Sequence, residues 1–353
     1  MSGARPTNWW MHAPATTDGH TLACQPPRRD AEIGPIDPEW TSGLEPESRP
    51  EVMNMSTIAV PNVLDRQQRL PLRTGPLGVI RAHPMVSFLF LIFALTWMLQ
   101  IPWIASTEGW LPFEFPFPLL FVMGWMPGLA ALIVTGATTG RAGLRSLLGR
   151  IFIWRVGFKW YLFPIFGSAA LWTAALALDP LLGGAGLQLP AFSVELLLGA
   201  TISVVLIFVI NSEEIAWRGF AMPRLQARHS ALAASLFLGV FEGLFHLPYF
   251  FRASSDQAAA GLPVFMIGTL AGAVIFTWLF NNTRGSVLLV MLFHTFINTW
   301  IEVFPAPAAD QVIAQWCFNA LLLILAIVLV AVFGAARLSR KSAVEMPVLI
   351  DGA

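Results

Sequence analysis

Two adjacent glutamates, Glu213 and Glu214, follow the apolar run TISVVLIFVI after only Asn211 and Ser212. An ionised side chain in hydrocarbon costs roughly 2.5–3.5 kcal/mol on insertion scales, and such residues are by default functional. Repulsion between two neighbouring acids adds to that cost. An ion pair between Glu214 and Arg218, four residues apart on one helix face, would account for one glutamate and leave Glu213 free.

Two further apolar segments carry polar residues at a spacing of four. The segment LGVFEGLFHLPYF contains Glu242 and His246, and LVMLFHTFINTW contains His294 and Asn298. Each pair lies on one helix face. Because lipid offers polar groups no partner, these faces are expected to turn towards one another. The predicted inward cluster is Glu213, Glu214, His246, His294 and Asn298, with Arg218 and Glu242 in support.

These residue types suit the hydrolysis of an amide. A carboxylate beside a neutral imidazole can act as a general base on water. Asparagine and histidine side chains can donate hydrogen bonds to a developing oxyanion. Ser212 is an unpromising nucleophile, because neighbouring helical residues point in different directions. The cluster therefore predicts water activation without a covalent intermediate.

Two other functions stay open from the residues alone. Glu213, His246 and His294 could hold a divalent metal such as zinc with an open position for water, although no HExxH motif is present. Intramembrane Glu and His also build the proton relays of transporters. Inverted repeats would support transport, but the sequence shows no long repeat. The prediction is an enzyme that requires no cofactor, with a metal as the alternative.

The bulk composition is that of a polytopic membrane protein. The 353-residue chain is 56% hydrophobic and 12% charged, and its mean hydropathy is +0.66. Soluble domains carry about twice that charged fraction. Cys24 and Cys317 form neither a disulfide framework nor a metal-binding spacing. Spans of about 20 apolar residues are predicted at 85–106, 117–138, 160–178, 194–217, 231–251, 262–280, 286–304 and 313–336.

Basic residues fall on one set of connections between the spans. Arg141, Arg145, Arg150 and Arg155 follow the second span, where leucines at helical spacing predict an interfacial amphipathic helix. Three further segments are also basic: the connection between the fourth and fifth spans, in which Arg218 is counted, the connection after the sixth span, and the C-terminal tail. The opposite connections hold only Arg252 beside several acids. The positive-inside rule then places both termini on the cytoplasmic side of the cell membrane.

The polar N-terminal segment lacks the apolar surface that folding requires. We predict a disordered cytoplasmic extension at 1–80, which an over-long reading frame could explain, then a membrane domain at 81–340 and a cytoplasmic tail at 341–353. One difficulty concerns depth. These limits place Glu213 near the cytoplasmic end of span four and His246 towards the outer end of span five. Continuation of span four through Arg218 towards Arg224 would bring the two together.

Three motifs, in order, resemble the CPBP family of intramembrane proteases, which includes the type II CAAX prenyl endopeptidases and the bacterial Abi proteins. The first is EExxxR, from Glu213 to Arg218. The second is EGLFHLP, which contains His246, and the third is HxxxN, from His294 to Asn298. The likeness covers roughly residues 85–336. Position 242 departs from the family, which has an aromatic residue there. The carboxylate at position 242 is either a neutral substitution at a supporting position or a hydrogen-bond partner that makes His246 more basic.

The resemblance implies an all-α intramembrane endopeptidase. Glu213 and His246 would activate water, Glu214 would assist and pair with Arg218, and His294 and Asn298 would form the oxyanion site. The substrate would be a membrane-associated or prenylated peptide or protein in the lipid bilayer, with no nucleic-acid partner. The alternatives are a non-catalytic scaffold or immunity protein of the same fold, and a proton-coupled transporter.

Overall fold

The computed structural model describes residues 75–307 and 309–341, and these residues form helices and turns without a β-strand. The predicted all-α bundle is therefore confirmed. Most helices begin at a proline in the first turn or at a serine whose hydroxyl accepts a backbone N–H, as Ser230 and Ser286 do. The helices are α1 Pro76–Ala82, α2 Pro84–Thr107, α3 Pro118–Gly149, α4 Lys159–Leu182, α5 Val194–Ile210, α6 Ile215–Gln226, α7 Ala231–Phe245, α8 Asp256–Ala260, α9 Leu262–Asn282, α10 Val287–Val303 and α11 Gln311–Phe333.

All eight predicted spans correspond to helices of the described residues, and up to seven of them meet the length and composition of a membrane span. Six helices are long and apolar enough to cross a membrane, and a seventh span results if α5 and α6 count as one bent span. The predicted span 286–304 is α10, which has 17 residues. At 1.5 Å per residue it is about 25 Å long, short of the ~30 Å hydrocarbon core. The chain is a multi-pass membrane protein with one short helix inside the bundle.

The fourth predicted span does not end at residue 217. The chain breaks after Ile210, bends by 42° and continues as α6 to Gln226. Glu213 therefore lies at the break in a long bent span, which removes the difficulty of depth. Arg218 is 2% exposed and lies inside the bundle, so its assignment to a cytoplasmic loop was wrong.

Contacts among the connections confirm the charge asymmetry of the bundle. At one end, Arg284 donates to the carbonyl of Arg155, and Lys341 donates to that of Asn282. At the other end, Glu108 accepts from the backbone of Ala253, and further bonds join Gln311 to Asp256 and Ala185 to Asp310. Basic connections thus gather at one end and acidic connections at the other.

Packing places α9 in the centre, between α7 and α11, while α10 packs against α4 and α5. Every residue of α5 is at least partly exposed, so this helix lies at the edge of the bundle. The predicted interfacial helix is the last part of α3. It follows a kink at Gly140, whose φ of 62° and ψ of −152° suit a residue without a Cβ.

The predicted domain limits lie largely outside the described residues. The extension at 1–80 is described only from residue 75, where α1 begins within it. The tail at 341–353 is described only at Lys341, whose amine and backbone N–H are both hydrogen-bonded.

Candidate active site

Arg218 joins two carboxylates from two helices. Its Nη1 lies 3.2 Å from Oε2 of Glu214 and 2.5 Å from Oε1 of Glu242, and Nη2 donates to Oε2 of Glu242 at 3.0 Å. The Phe276 ring centroid lies 4.4 Å from the guanidinium carbon, a cation–π distance. Both carboxylates are buried. Removing one partner of a buried ion pair costs about 3–5 kcal/mol, so this network holds α6 against α7.

The same Glu214 also contacts the third motif. Its Oε1 lies 2.9 Å from Nδ1 of His294, on α10. Since Glu214 is paired with Arg218, its carboxylate is the acceptor and Nδ1 of His294 carries the hydrogen. Glu214 thus has contacts to both Arg218 and His294, which suits support rather than proton transfer.

His246 is oriented by the backbone of its own helix. Its Nδ1 lies 2.7 Å from the carbonyl oxygen of Glu242. A carbonyl can only accept, so Nδ1 is the donor and Nε2 of the neutral ring is an acceptor. The carboxylate of Glu242 goes to Arg218 instead. The hypothesis that the Glu242 side chain makes His246 more basic is therefore wrong, and the backbone of that residue fixes the ring.

Both neutral rings carry the hydrogen on Nδ1, so each presents Nε2 as an acceptor. A neutral His246 presents Nε2 as an acceptor for a proton from water. A neutral His294 likewise presents an acceptor and must become an imidazolium before it can donate from Nε2. Asn298, one turn further along α10, can donate from Nδ2 in either case.

Two chambers meet at these side chains. The small chamber, of about 200 Å³, lies towards α9 and α11, and the large chamber, of about 460 Å³, lies towards α2, α3 and α5. Glu214, Arg218 and Glu242 line only the small chamber. The polar groups that line both are Glu213, His246, Asp256, Gln257, His294 and Asn298. The predicted cluster is therefore brought together, with Glu213 half-buried at the wall that the chambers share.

Ser212 has a structural place beside Glu213. Its hydroxyl donates to the carbonyl of Gly124 at 2.7 Å and accepts from the backbone N–H of Gly128 at 2.9 Å. It lines neither chamber. A Cβ at Gly128 would lie 2.8 Å from Cβ of Ser212, so the glycine is needed for this approach. Ser212 thus fastens the break between α5 and α6 to α3.

A resident metal finds no ready ligand set. Across 75–307 and 309–341, no three His, Cys, Asp or Glu side chains are arranged to hold a metal ion. The alternative set of Glu213, His246 and His294 shares the chamber wall without forming such a group. The chemistry below is therefore derived from the chain's own acids, imidazoles and amides.

The sequence pattern did not indicate several residues that line the chambers, because their side chains are uncharged. Gln100 on α2 is 2% exposed and lines the large chamber, and Gln315 and Asn319 on α11 line the small one. The available signal was an amide inside an otherwise apolar span. Gln257 was missed because it lies on the short helix α8, between the predicted spans 231–251 and 262–280.

Comparison with known proteins places this site in context. The family described as "Type II CAAX prenyl endopeptidase Rce1-like" matches residues 195–300. "CAAX prenyl protease 2" of Methanococcus maripaludis is 35% identical over 100 residues, which cover 26% of this chain and 36% of that protein. The chain therefore matches about a third of the length of this curated relative. The segment matched by the family contains all three motifs of the site and the whole of α9, whereas α11 lies outside it, at the wall of the small chamber.

Proposed function

We propose that the protein is an intramembrane endopeptidase, because residues 195–300 match the family of Rce1-like type II CAAX prenyl endopeptidases. Its substrate is a membrane-associated or lipid-modified protein or peptide of the CAAX type. The observation that carries the proposal is the wall between the two chambers, to which Glu213, His246, His294 and Asn298 all contribute. A peptide lying across this wall would present its main chain to all four.

Water adds to the scissile carbonyl in the first step. Glu213, the acid without a part in the Arg218 network, takes one proton, and Nε2 of His246 accepts a hydrogen bond from the same water. The oxygen attacks the carbonyl carbon and the carbonyl oxygen becomes an oxyanion. Asn298 donates to it, joined by His294 as the imidazolium whose charge Glu214 balances. Donors of this kind are worth about 10²–10³ in kcat each.

Collapse of the tetrahedral intermediate completes the reaction. The C–N bond breaks, the proton held by Glu213 passes to the leaving nitrogen, and the products are a carboxylic acid and an amine, which exchange the remaining proton to become a carboxylate and an ammonium group. No covalent enzyme intermediate forms, because no side chain attacks the carbonyl. Arg218 takes no proton, and its role is to hold Glu214 and Glu242 in place.

We propose further that the reaction needs no resident metal. We also propose that both termini lie on the cytoplasmic side of the cell membrane. The charge asymmetry of the connections supports the orientation. Activity that survives a chelator supports metal-free catalysis, and loss that added zinc restores contradicts it. Cysteine labelling at the basic and acidic ends of the bundle in intact cells tests the orientation.

A cleavage assay tests the activity itself. Purified protein in liposomes is given a farnesylated, fluorescence-quenched peptide ending in a CAAX sequence. We expect Glu213→Ala and His246→Ala to abolish cleavage. The matched controls, Glu114→Ala and His229→Ala, remove an exposed acid and an exposed histidine outside both chambers and should retain it. Cleavage that persists in both site variants contradicts the mechanism. No cleavage by the wild type, with proton-coupled uptake instead, contradicts the enzyme.

A further inference from the structure

Two amide side chains on α11 line the small chamber, outside the segment that the family matches. Gln315 and Asn319 are spaced by four residues and so share a helix face. They are 5% and 6% exposed, respectively. An apolar residue at either position would fit a membrane helix without desolvating an amide, so their presence on this wall calls for a partner.

The two amides offer a hydrogen-bond donor and a hydrogen-bond acceptor. Nε2 of Gln315 is buried and has no hydrogen-bond partner within the described part of the chain. Nδ2 of Asn319 donates to the backbone carbonyl of Gln315 at 2.7 Å, which fixes the plane of the amide. Oδ1 of Asn319 then lies over Gly268, where a Cβ would approach it to 1.5 Å. The glycine leaves the space that this oxygen occupies.

The charges around the chamber exclude an anionic occupant. Its lining contains four carboxylates, from Glu213, Glu214, Glu242 and Asp256, against one guanidinium, from Arg218, and the imidazoles of His246 and His294. A free carboxylate or phosphate would be repelled. An uncharged peptide main chain suits the site, since it exposes both a C=O for Gln315 and an N–H for Asn319.

Resting on the proposed function, we propose that Gln315 and Asn319 form a substrate subsite that binds the peptide main chain on one side of the scissile bond. Gln315 donates to a substrate carbonyl and Asn319 accepts from a substrate N–H. The subsite and the proposed water-activating groups line the same small chamber, and the subsite positions the peptide without taking part in bond cleavage.

Ester substitution in the peptide tests this proposal. A series of farnesylated, fluorescence-quenched CAAX peptides carries one ester in place of one amide at successive positions, which removes a single N–H. With wild-type protein we expect one position to lose about tenfold in kcat/KM, the effect of one hydrogen bond. In Asn319→Leu the amide peptide should lose about tenfold and the ester penalty should vanish. Gln315→Met should weaken amide and ester peptides alike.

Gln226→Met is the matched control, because Gln226 is a partly buried glutamine whose partner, Asn281, lies outside both chambers. It should leave the ester penalty unchanged even if it lowers the melting temperature. Peptide binding to the Glu213→Gln protein, followed by fluorescence anisotropy, gives a readout independent of cleavage.

The outcomes separate the two proposals. If the wild type cleaves the peptides, but the ester penalty persists in Asn319→Leu and Gln315→Met loses no activity, the subsite is overturned and the activity stands. If the peptides bind and the ester penalty on binding disappears in Asn319→Leu, but the wild type cleaves none of them, the subsite stands and the activity is overturned. Failure of every peptide to bind the Glu213→Gln protein or to be cut by the wild type overturns both.

Discussion

Nδ1 of His294 lies 2.9 Å from Oε1 of Glu214, a carboxylate 80 residues earlier in the chain. The contact joins the first motif to the third, and Arg218 extends it to Glu242 on the second. Because Glu214 has contacts to both a guanidinium and an imidazole, it orients its partners. Glu213, which has no part in this network, is left as the carboxylate for the proposed proton transfer.

Glu214→Gln should lower both stability and activity. The amide keeps the shape of the side chain but removes the charge that balances Arg218 and holds His294. Disruption of a buried ion pair costs about 3–5 kcal/mol, and the second carboxylate on Arg218 should reduce this figure. The measurements are thermal unfolding in detergent and kcat on the CAAX peptide. Unchanged kcat would contradict the orienting role of Glu214. Glu114→Gln, an exposed control, should change neither.

Glu242→Gln should lower stability without shifting the pH dependence of kcat/KM. The Glu242 carboxylate contacts Arg218, whereas His246 is held by the carbonyl of the same residue, which the substitution retains. A pH–rate profile that moves in this variant, at unchanged folding, would mean that the side chain acts on His246 after all. Glu242→Ala removes the hydrogen-bond acceptor for Arg218 as well as the charge and should be the less stable variant.

The sequence was sufficient for the fold class and for expecting the predicted glutamates and histidines to lie together, because such groups are rare in apolar spans. It could not give the path of the chain at Asn211. Hydropathy averages over a window, so a break of a few residues inside a long apolar stretch is invisible to it. The break depends on a tertiary contact, the bond from Ser212 to the backbone of α3.

Partner assignments within the site were predictable only in part. The pair of Glu214 and Arg218 follows from spacing on one helix and is present. The pairing of Glu242 with Arg218 depends on how α6 rotates against α7, which spacing does not encode. Gln315 and Asn319 were missed because an uncharged amide barely changes the hydropathy of α11.

Gly128→Ala should disturb the site through the break beside it. The added methyl would lie 2.8 Å from Cβ of Ser212 and must push the segment before Glu213 away from α3. The matched control is Gly149→Ala on the same helix, where a Cβ meets no atom within 4 Å. We expect kcat to fall at least tenfold in the first variant and to stay unchanged in the second. Equal activity in both would show that the position of the break does not matter to the chemistry.

Asn298→Leu should lower kcat by about 10²–10³ with little change in KM, because a donor to the oxyanion acts mainly in the transition state. Circular dichroism and the melting temperature control for folding. A rise in KM alone, with kcat retained, would instead place Asn298 in substrate binding and leave the imidazolium of His294 as the oxyanion donor.

Ser212→Ala distinguishes water activation from nucleophilic catalysis. Ser212 lies directly before Glu213, yet its hydroxyl is bonded to α3 on both sides and lines neither chamber. The variant loses two hydrogen bonds and should therefore lose about 1–3 kcal/mol of stability, while it keeps most of its kcat. Glu213→Gln should show the reverse, with near-native stability and no turnover. A Ser212→Ala protein that folds but does not turn over, together with a serine ester trapped on the wild type at low pH, would replace the proposed mechanism with a covalent one.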